Sequence, residues 1–278
     1  KSAMKKVYQA CGVNVARGKV ISSIAEAREL IAEVGYPIIA KPDIGVGASL
    51  TYQINQDEEL EGFFANHPPI DFIFEEFIRG QIITYDGLVD QDGEVVFDST
   101  LMYSDGVMES VNQSMDLWYY IDREIPSDLQ AAGRKLLTAY NLRERFFHFE
   151  FFRQANGDLY GLEMNMRPPG GMTTDMWNFA NNIDIYREYA NVVVGNRFES
   201  KITRPYYCAY ISRRFGKEYQ FTTDQVLREF GERIVHHEFI SGVFAPALGD
   251  YGFLVRAETL DEIREAALWI AKKRETVA

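Results

Sequence analysis

Apolar and polar positions repeat with two periods along this chain, and the switches between them mark out its elements. Lys1 to Ala10 reads as a helix that stops before Gly12, and Val13 to Val20 as an extended connection. Ser23 with Glu26 gives a capping pattern for a helix that runs to Val34 and breaks at Gly35-Tyr36-Pro37. Pro37 to Lys41 and Leu50 to Ile54 read as strands, Asp57 to Asn66 as a short helix and Asp71 to Glu76 as a third strand. Further on, Ile82 to Val89 and Glu94 to Leu101 flank Asp92-Gly93, a hairpin signal. Ser127 to Tyr140, Thr173 to Ala180, Asp184 to Val194 and Asp224 to Glu229 have helical spacing. Tyr206 to Phe215, Ile234 to Phe239 and Gly252 to Ala257 read as strands, and Thr259 with Glu262 caps a closing helix. Tyr103 to Arg123 is too weakly periodic to place. Runs of antiparallel strands with helices grouped between them predict an α+β protein. No repeat or low-complexity linker divides it. The expected organisation is a small lobe over residues 1–78 and a larger one over 79–278.

Composition narrows the function classes. The 278 residues carry a net charge of −12, which argues against nucleic acid as the main partner, because phosphate backbones need a basic footprint. The only cysteines, Cys11 and Cys208, are too few and too widely spaced for a disulfide framework or a thiolate metal site. Both are expected to be reduced thiols in a cytoplasmic protein. No apolar run is long enough to cross a bilayer and no signal peptide is visible, so no membrane partner is expected. The chain opens at Lys1 without a methionine, as expected for the remainder of a longer protein.

The candidate chemistry centres on the segment from Glu150 to Arg167. Asn156-Gly157 signals a two-residue hairpin turn between two strand-like runs. Glu163, Asn165 and Arg167 project from one face of the second arm, and Glu150 on the first arm can point the same way. Two carboxylates and an amide oxygen form a hard-oxygen set suited to Mg²⁺, with a guanidinium two residues on. A solvated hairpin with alternating polar residues would show the same local pattern.

Two other segments gain meaning beside this one. Lys41 precedes the loop Pro42 to Ser49, whose Gly45 and Gly47 let backbone N–H groups approach an oxyanion. The lysine comes before the glycines and no helix clearly follows, so this is not a Walker loop. Phe74 to Gly80 is a strand end running into a connector, where an exposed backbone edge would pair with a purine base. A flexible hairpin and a plain interdomain strand are the ordinary explanations of each alone.

A lysine before a glycine loop, an acidic-aromatic linker and a Glu…Glu-x-Asn-x-Arg hairpin, in this order, resemble the ATP-grasp superfamily. The resemblance covers nearly the whole chain and is closest to the carboxylate–amine ligase, biotin carboxylase and carbamoyl phosphate synthase branch. It implies an ATP-grasp fold of two α+β lobes with ATP between them, and a preceding N-terminal domain absent from this chain. It also implies an ATP- and Mg²⁺- (or Mn²⁺-) dependent ligase that activates a carboxylate as an acyl-phosphate for attack by an amine, such as an amino acid. Position by position, Lys41 resembles the lysine on the α- and β-phosphates and Lys1 a second phosphate lysine. Gly45 and Gly47 resemble the covering loop. Glu75 resembles the group that meets the adenine amine, with Glu76, Phe77 and Ile78 lining the base. Glu150, Glu163 and Asn165 resemble the metal ligands, and Arg167 the residue that stabilises the transferred phosphoryl group. Where the family places a ribose-binding glutamate this chain has Ile82, with Gln81 beside it as a substitute. His148, Glu109, Arg123 and the turn Pro168 to Gly171 are further candidates for contact with substrate or phosphate. His236-His237 lacks a third ligand and reads as a surface pair, and Tyr119-Tyr120 and Phe146-Phe147 read as core. A homodimer is compatible with this reading. The alternatives are a bicarbonate-using carboxylase or carbamoyl phosphate synthase-like module, and a module that binds ATP without turning it over.

Overall fold

The computed structural model of the chain describes residues 1–45, 50–103 and 116–274. These divide into two compact units, one of Lys1–Gly80 with Glu150–Met164 and one of Gln81–Phe149 with Asn165–Ala278.

The first unit opens with helix α1 (Ser2–Ala10), strand β1 (Asn14–Val15), strand β2 (Gly18–Ile21) and helix α2 (Ile24–Val34). Strands β3 (Ile38–Pro42) and β4 (Tyr52–Ile54), helix α3 (Asp57–Asn66) and strand β5 (Phe72–Glu76) follow. A four-stranded sheet runs in the order β2-β5-β3-β4. Its strands are antiparallel, so each alternates between two faces. Ile38, Ala40, Phe72 and Phe74 turn into a core with Ala27 and Leu30 of α2 and Leu60 and Phe63 of α3. Burying each of these larger side chains is worth about 1.5–3 kcal/mol, so this face fixes the register of the whole sheet. The opposite face is left to Ile39, Lys41, Ile73 and Glu75.

At the start of α2 the Ser23 hydroxyl accepts from the Glu26 N–H, as its capping role predicts. The Glu26 carboxylate, however, takes the backbone N–H of Ser22 at 3.0 Å, one residue earlier than the pattern anticipates.

The second unit holds β6 (Gln81–Val89), β7 (Val95–Ser99), β8 (Leu101–Tyr103), β9 (Trp118–Ile121) and helix α4 (Ser127–Ala139). Strand β10 (Arg145–Arg153) begins here and ends in the first unit, where its second half continues toward β11 (Leu159–Asn165). Helices α5 (Thr173–Asn181) and α6 (Ile185–Gly195), strand β12 (Tyr207–Arg213), helix α7 (Thr223–Phe230) and strand β13 (Ile234–Phe239) come next. Helix α8 (Ala245–Leu248), strand β14 (Tyr251–Ala257) and helix α9 (Leu260–Ala271) close the unit. Strands β6-β8-β9-β12-β14-β13 lie side by side in that order, with β7 on β6. One face packs Tyr119, Tyr210 and Leu254 on Met176 and Trp177 of α5, and the other packs Tyr120, Ile211 and Phe253 on Ile263 and Ile270 of α9. The tyrosine and phenylalanine pairs expected in the core are there: Tyr119, Tyr120, Phe146 and Phe147 are all buried. Helix α9 carries the complete Thr259/Glu262 capping box. Among the described residues, no helix is long and apolar enough to cross a membrane.

The hairpin turn differs from the two-residue form. Gln154 N–H donates to Asp158 O and Gly157 N–H to Gln154 O, both at 2.9 Å, enclosing Ala155, Asn156 and Gly157. Only Gly157 takes a positive φ, +94°, whereas a two-residue turn of the expected type needs it at both central positions. Asn156 instead uses its side-chain oxygen to accept the Asp158 N–H at 3.0 Å.

Candidate functional site

Helix α1 buries one stripe: Lys5 and Tyr8, three residues apart. Tyr8 packs where Gly161 of β11 has no side chain, since a Cβ there would sit 2.1 Å from the Tyr8 ring. Strand β1 pairs in parallel with the same stretch, Asn14 opposite Tyr160 and Val15 opposite Gly161. The Tyr8 hydroxyl donates to the backbone oxygen of Glu163 at 3.3 Å. These contacts set the second arm of the hairpin against α1.

The face of the small sheet turned away from its core carries the charge. Strands β3 and β5 pair with Ile39 opposite Glu75, so Lys41, two residues further on, stands diagonal to Glu75 on the same face. Lys41 Nζ lies 2.6 Å from Glu75 Oε2, and Lys5 Nζ 2.7 Å from Glu75 Oε1. Lys5 also donates to the carbonyl of Ala16. The three side chains are 7%, 8% and 4% exposed for Lys5, Lys41 and Glu75. Burial alone would raise the Glu75 carboxyl, but the two ammonium groups outweigh it and hold the group below its ordinary value. Burial pushes the Lys5 ammonium down despite Glu75 beside it. Facing two ammonium groups, Glu75 is held in its charged form.

Lys1 stands at the mouth of the glycine loop. Its Nζ donates to the carbonyls of Pro42 at 3.0 Å and Gly45 at 3.1 Å. Ser2 fixes the loop's first turn, its N–H and hydroxyl meeting the Asp43 carboxylate at 2.6 and 2.8 Å. Burial lowers the Lys1 ammonium; Glu163 is the strongest opposing influence, and Lys41 adds to the lowering. Lys1, Lys41 and Glu163 therefore share one electrostatic neighbourhood within the first unit. Gly47 and Glu109 lie outside the described residues.

The remaining expected residues are placed as follows. Glu76 is held by Arg17, whose backbone N–H donates at 2.7 Å and whose Nε and Nη2 donate at 3.1 and 2.9 Å. Phe77 is half-buried and Ile78 buried. Glu150 and Glu163 are half-buried within the first unit; Asn165 and Arg167 follow in the second. Glu163 and Asn165 are alternate residues of β11 and share its face. Arg167 is exposed, with Nη1 donating to Pro168 O at 2.7 Å. Ile82 is buried, and the neighbouring Gln81 gives its amide to Tyr103 O at 2.9 Å. Arg123 is spent on backbone carbonyls, donating to Arg204 O at 2.8 Å and Glu258 O at 3.1 Å, which explains it without a substrate. Gly171, with φ +64°, makes the turn into α5. The exposed His236 and His237 face Glu238 and the Tyr251 hydroxyl.

Two features escaped the sequence reading. Lys5 is not singled out by the sequence, although its spacing to Tyr8 marks the buried stripe. His148 has a specific partner, Asp86, with Nδ1 2.7 Å from Oδ1 and Asp86 fully buried. Thr84 steadies the other Asp86 oxygen at 2.5 Å. Those residues are 62 positions apart, and no local pattern pairs them.

Comparison with known proteins identifies the family. The family profile described as "ATP-grasp domain" matches residues 34–175, a span containing Lys41, Glu75, Glu150, Glu163, Asn165 and Arg167. The L-arginine-specific L-amino acid ligase of Bacillus subtilis is 23% identical over 206 residues, covering 68% of this chain and 50% of that protein. The chain thus spans about half the length of that relative. The solved structure of L-amino acid ligase from Bacillus licheniformis superposes with a TM-score of 0.73 at 15% identity, covering 95% of this chain and 68% of that one. The ADP-complexed N5-carboxyaminoimidazole synthetase from Staphylococcus aureus gives 0.71 at 15% identity, covering 94% and 68%. The chain has an ATP-grasp fold and belongs to the ATP-grasp domain family.

Proposed function

We propose that this chain is the catalytic part of an ATP-dependent ligase that joins a carboxylate to an amine, with an amino acid among its substrates. The observation that carries this reading is the Lys1 ammonium on the carbonyls of Pro42 and Gly45, at the start of the loop that follows Lys41, with Glu163 and Lys41 both acting on its charge. Two ammonium groups beside backbone that can turn its N–H groups outward suit a polyphosphate, and the carboxylate suits the metal that accompanies it. The amino acid substrate is supported by the likeness to the L-arginine-specific ligase.

The donor chemistry fits Mg²⁺. Glu150, Glu163 and Asn165 offer hard oxygens only, as that ion requires. Among the described residues no three carboxylate, imidazole or thiolate side chains converge on one point, so phosphate oxygens and water would supply the other ligands. When bound, the ion would neutralise charge developing between the β- and γ-phosphates.

The chain's own residues position and stabilise. Lys41 and Lys1 would hold the phosphates, and the backbone of Glu76 to Ile78 would meet the base. A substrate carboxylate oxygen attacks the γ-phosphorus and ADP leaves; the amine then attacks the acyl carbon, loses a proton, and orthophosphate departs with that oxygen. Arg167 would stabilise charge on the transferred phosphoryl group. No serine, cysteine or histidine nucleophile is needed, because positioning and electrostatics carry such a transfer.

The test is ADP release by the full-length protein, screened against pools of carboxylic acids and amino acids. The wild type should release ADP only with Mg²⁺ and a matching pair, and Glu163→Ala should abolish release while melting normally. Near-normal turnover in that variant would remove Glu163 from the metal site. Bicarbonate-stimulated turnover with no response to amino acids would replace the amine ligase with a carboxylase-type reaction.

A further inference from the structure

The buried trio Lys5, Glu75 and Lys41 poses a problem that the ATP reading alone leaves open. If Lys41 turns toward the phosphates, its ammonium is drawn in whole or in part from Glu75, 2.6 Å away. Glu75 would then lose a counter-charge while only 4% exposed, and a buried carboxylate left alone is strongly disfavoured. The carboxylate would resist that turn.

Lys5 resolves this. We propose that Lys5 is a positioning residue that holds Glu75 as a permanent counter-ion and so releases Lys41 to the phosphates. Its placement is that of a fixed member. It stands mid-helix on the buried stripe with Tyr8, it donates to the Ala16 carbonyl, and its Nζ is 2.7 Å from the Glu75 oxygen that Lys41 does not use. Each lysine thus has its own oxygen of one carboxylate, Oε1 for Lys5 and Oε2 for Lys41. Lys41 is the penultimate residue of its strand, beside the loop, whereas the Lys5 ammonium is tied to the Ala16 carbonyl as well as to Glu75. The asymmetry makes Lys41 the mobile partner. The other charged groups near the trio are Lys1, on the Lys41 side, and Glu76, which Arg17 already engages.

This inference rests on the ATP reading, and it concerns only affinity for the phosphate portion of the nucleotide. The informative quantity is the ratio of adenosine to ADP dissociation constants, measured by calorimetry on the full chain. Adenosine carries the base contacts without the phosphates, so changes in folding or in the base site divide out.

In the wild type ADP should bind more tightly than adenosine. Lys5→Met should reduce that ratio at least tenfold, because Lys41 becomes the sole counter-ion of Glu75 and stays with it. Lys5→Arg should restore most of the ratio. The double variant Lys5→Met/Glu75→Gln should recover it as well, since a neutral amide no longer detains Lys41. It also removes the buried charge, so it serves if Lys5→Met alone folds poorly. A Lys5→Met ratio equal to wild type would overturn the proposal, as would a double variant no better than Lys5→Met. A wild type with no preference for ADP over adenosine would instead bring down the ATP reading itself.

Discussion

Tyr8 lies against Gly161 so closely that a methyl group on the glycine would come within 2.1 Å of its ring. The contact joins α1, which carries Lys5, to the strand that carries Glu163. It leads to a stability prediction with a defined size. Gly161→Ala forces the ring to move in a packed setting, and such overpacking costs about 1–3 kcal/mol. Thermal unfolding should shift down accordingly. Tyr8→Phe removes a long hydrogen bond to the Glu163 carbonyl, 3.3 Å, and keeps the ring against Gly161, so it should cost less than Gly161→Ala. Equal melting of Gly161→Ala and the wild type would mean that the two elements are not tied at this point.

Lys41 is expected to act on the phosphates and not on the base. Lys41→Met should weaken ADP about tenfold or more, the worth of one or more charge-assisted hydrogen bonds, and leave adenosine binding unchanged. Titration calorimetry with the two ligands separates the effects. A parallel loss for adenosine would assign Lys41 to the fold instead.

The acid limb of stability should depend on Glu75. Its carboxyl is held below the ordinary value by Lys41 and Lys5. The unfolded chain therefore takes up the proton first as pH falls, and acid favours unfolding. The contribution is complete above the ordinary glutamate value and is lost as pH drops through the depressed one. Melting temperatures recorded from neutral pH downward should fall in that window. Glu75→Gln should melt lower at neutral pH, because two buried lysines lose their counter-ion, and should fall less steeply on acidification. An unchanged slope would show that other carboxylates govern the acid limb.

Much of this was legible in the residues because the decisive signals were local. Alternation along β3 and β5, the Thr259/Glu262 box and the glycine at the hairpin all act within a few positions. The metal and phosphate candidates stand out in the sequence as an ordered set, none being distinctive alone. Lys5 does not, because a lysine on a short helix is normally solvated and only the packing of Tyr8 on Gly161 buries its face. Nor does the His148–Asp86 pair, which depends on which strands become neighbours rather than on spacing. The resemblance implies that Glu75 meets the adenine amine; what the sequence does not disclose is that its carboxylate also contacts two lysines. The reason is the β3–β5 register, which puts Lys41 diagonally across from it.

In the proposed reaction ATP activates a carboxylate by phosphorylating it. The most direct measurement is the fate of carboxylate oxygen. The full-length protein is incubated with ATP, Mg²⁺, an amine and an accepted carboxylic acid labelled with ¹⁸O in both carboxyl oxygens, and the released orthophosphate is analysed by mass. Attack on the γ-phosphorus followed by displacement predicts one ¹⁸O atom in each orthophosphate. Amide product accumulating beside unlabelled orthophosphate would contradict the account.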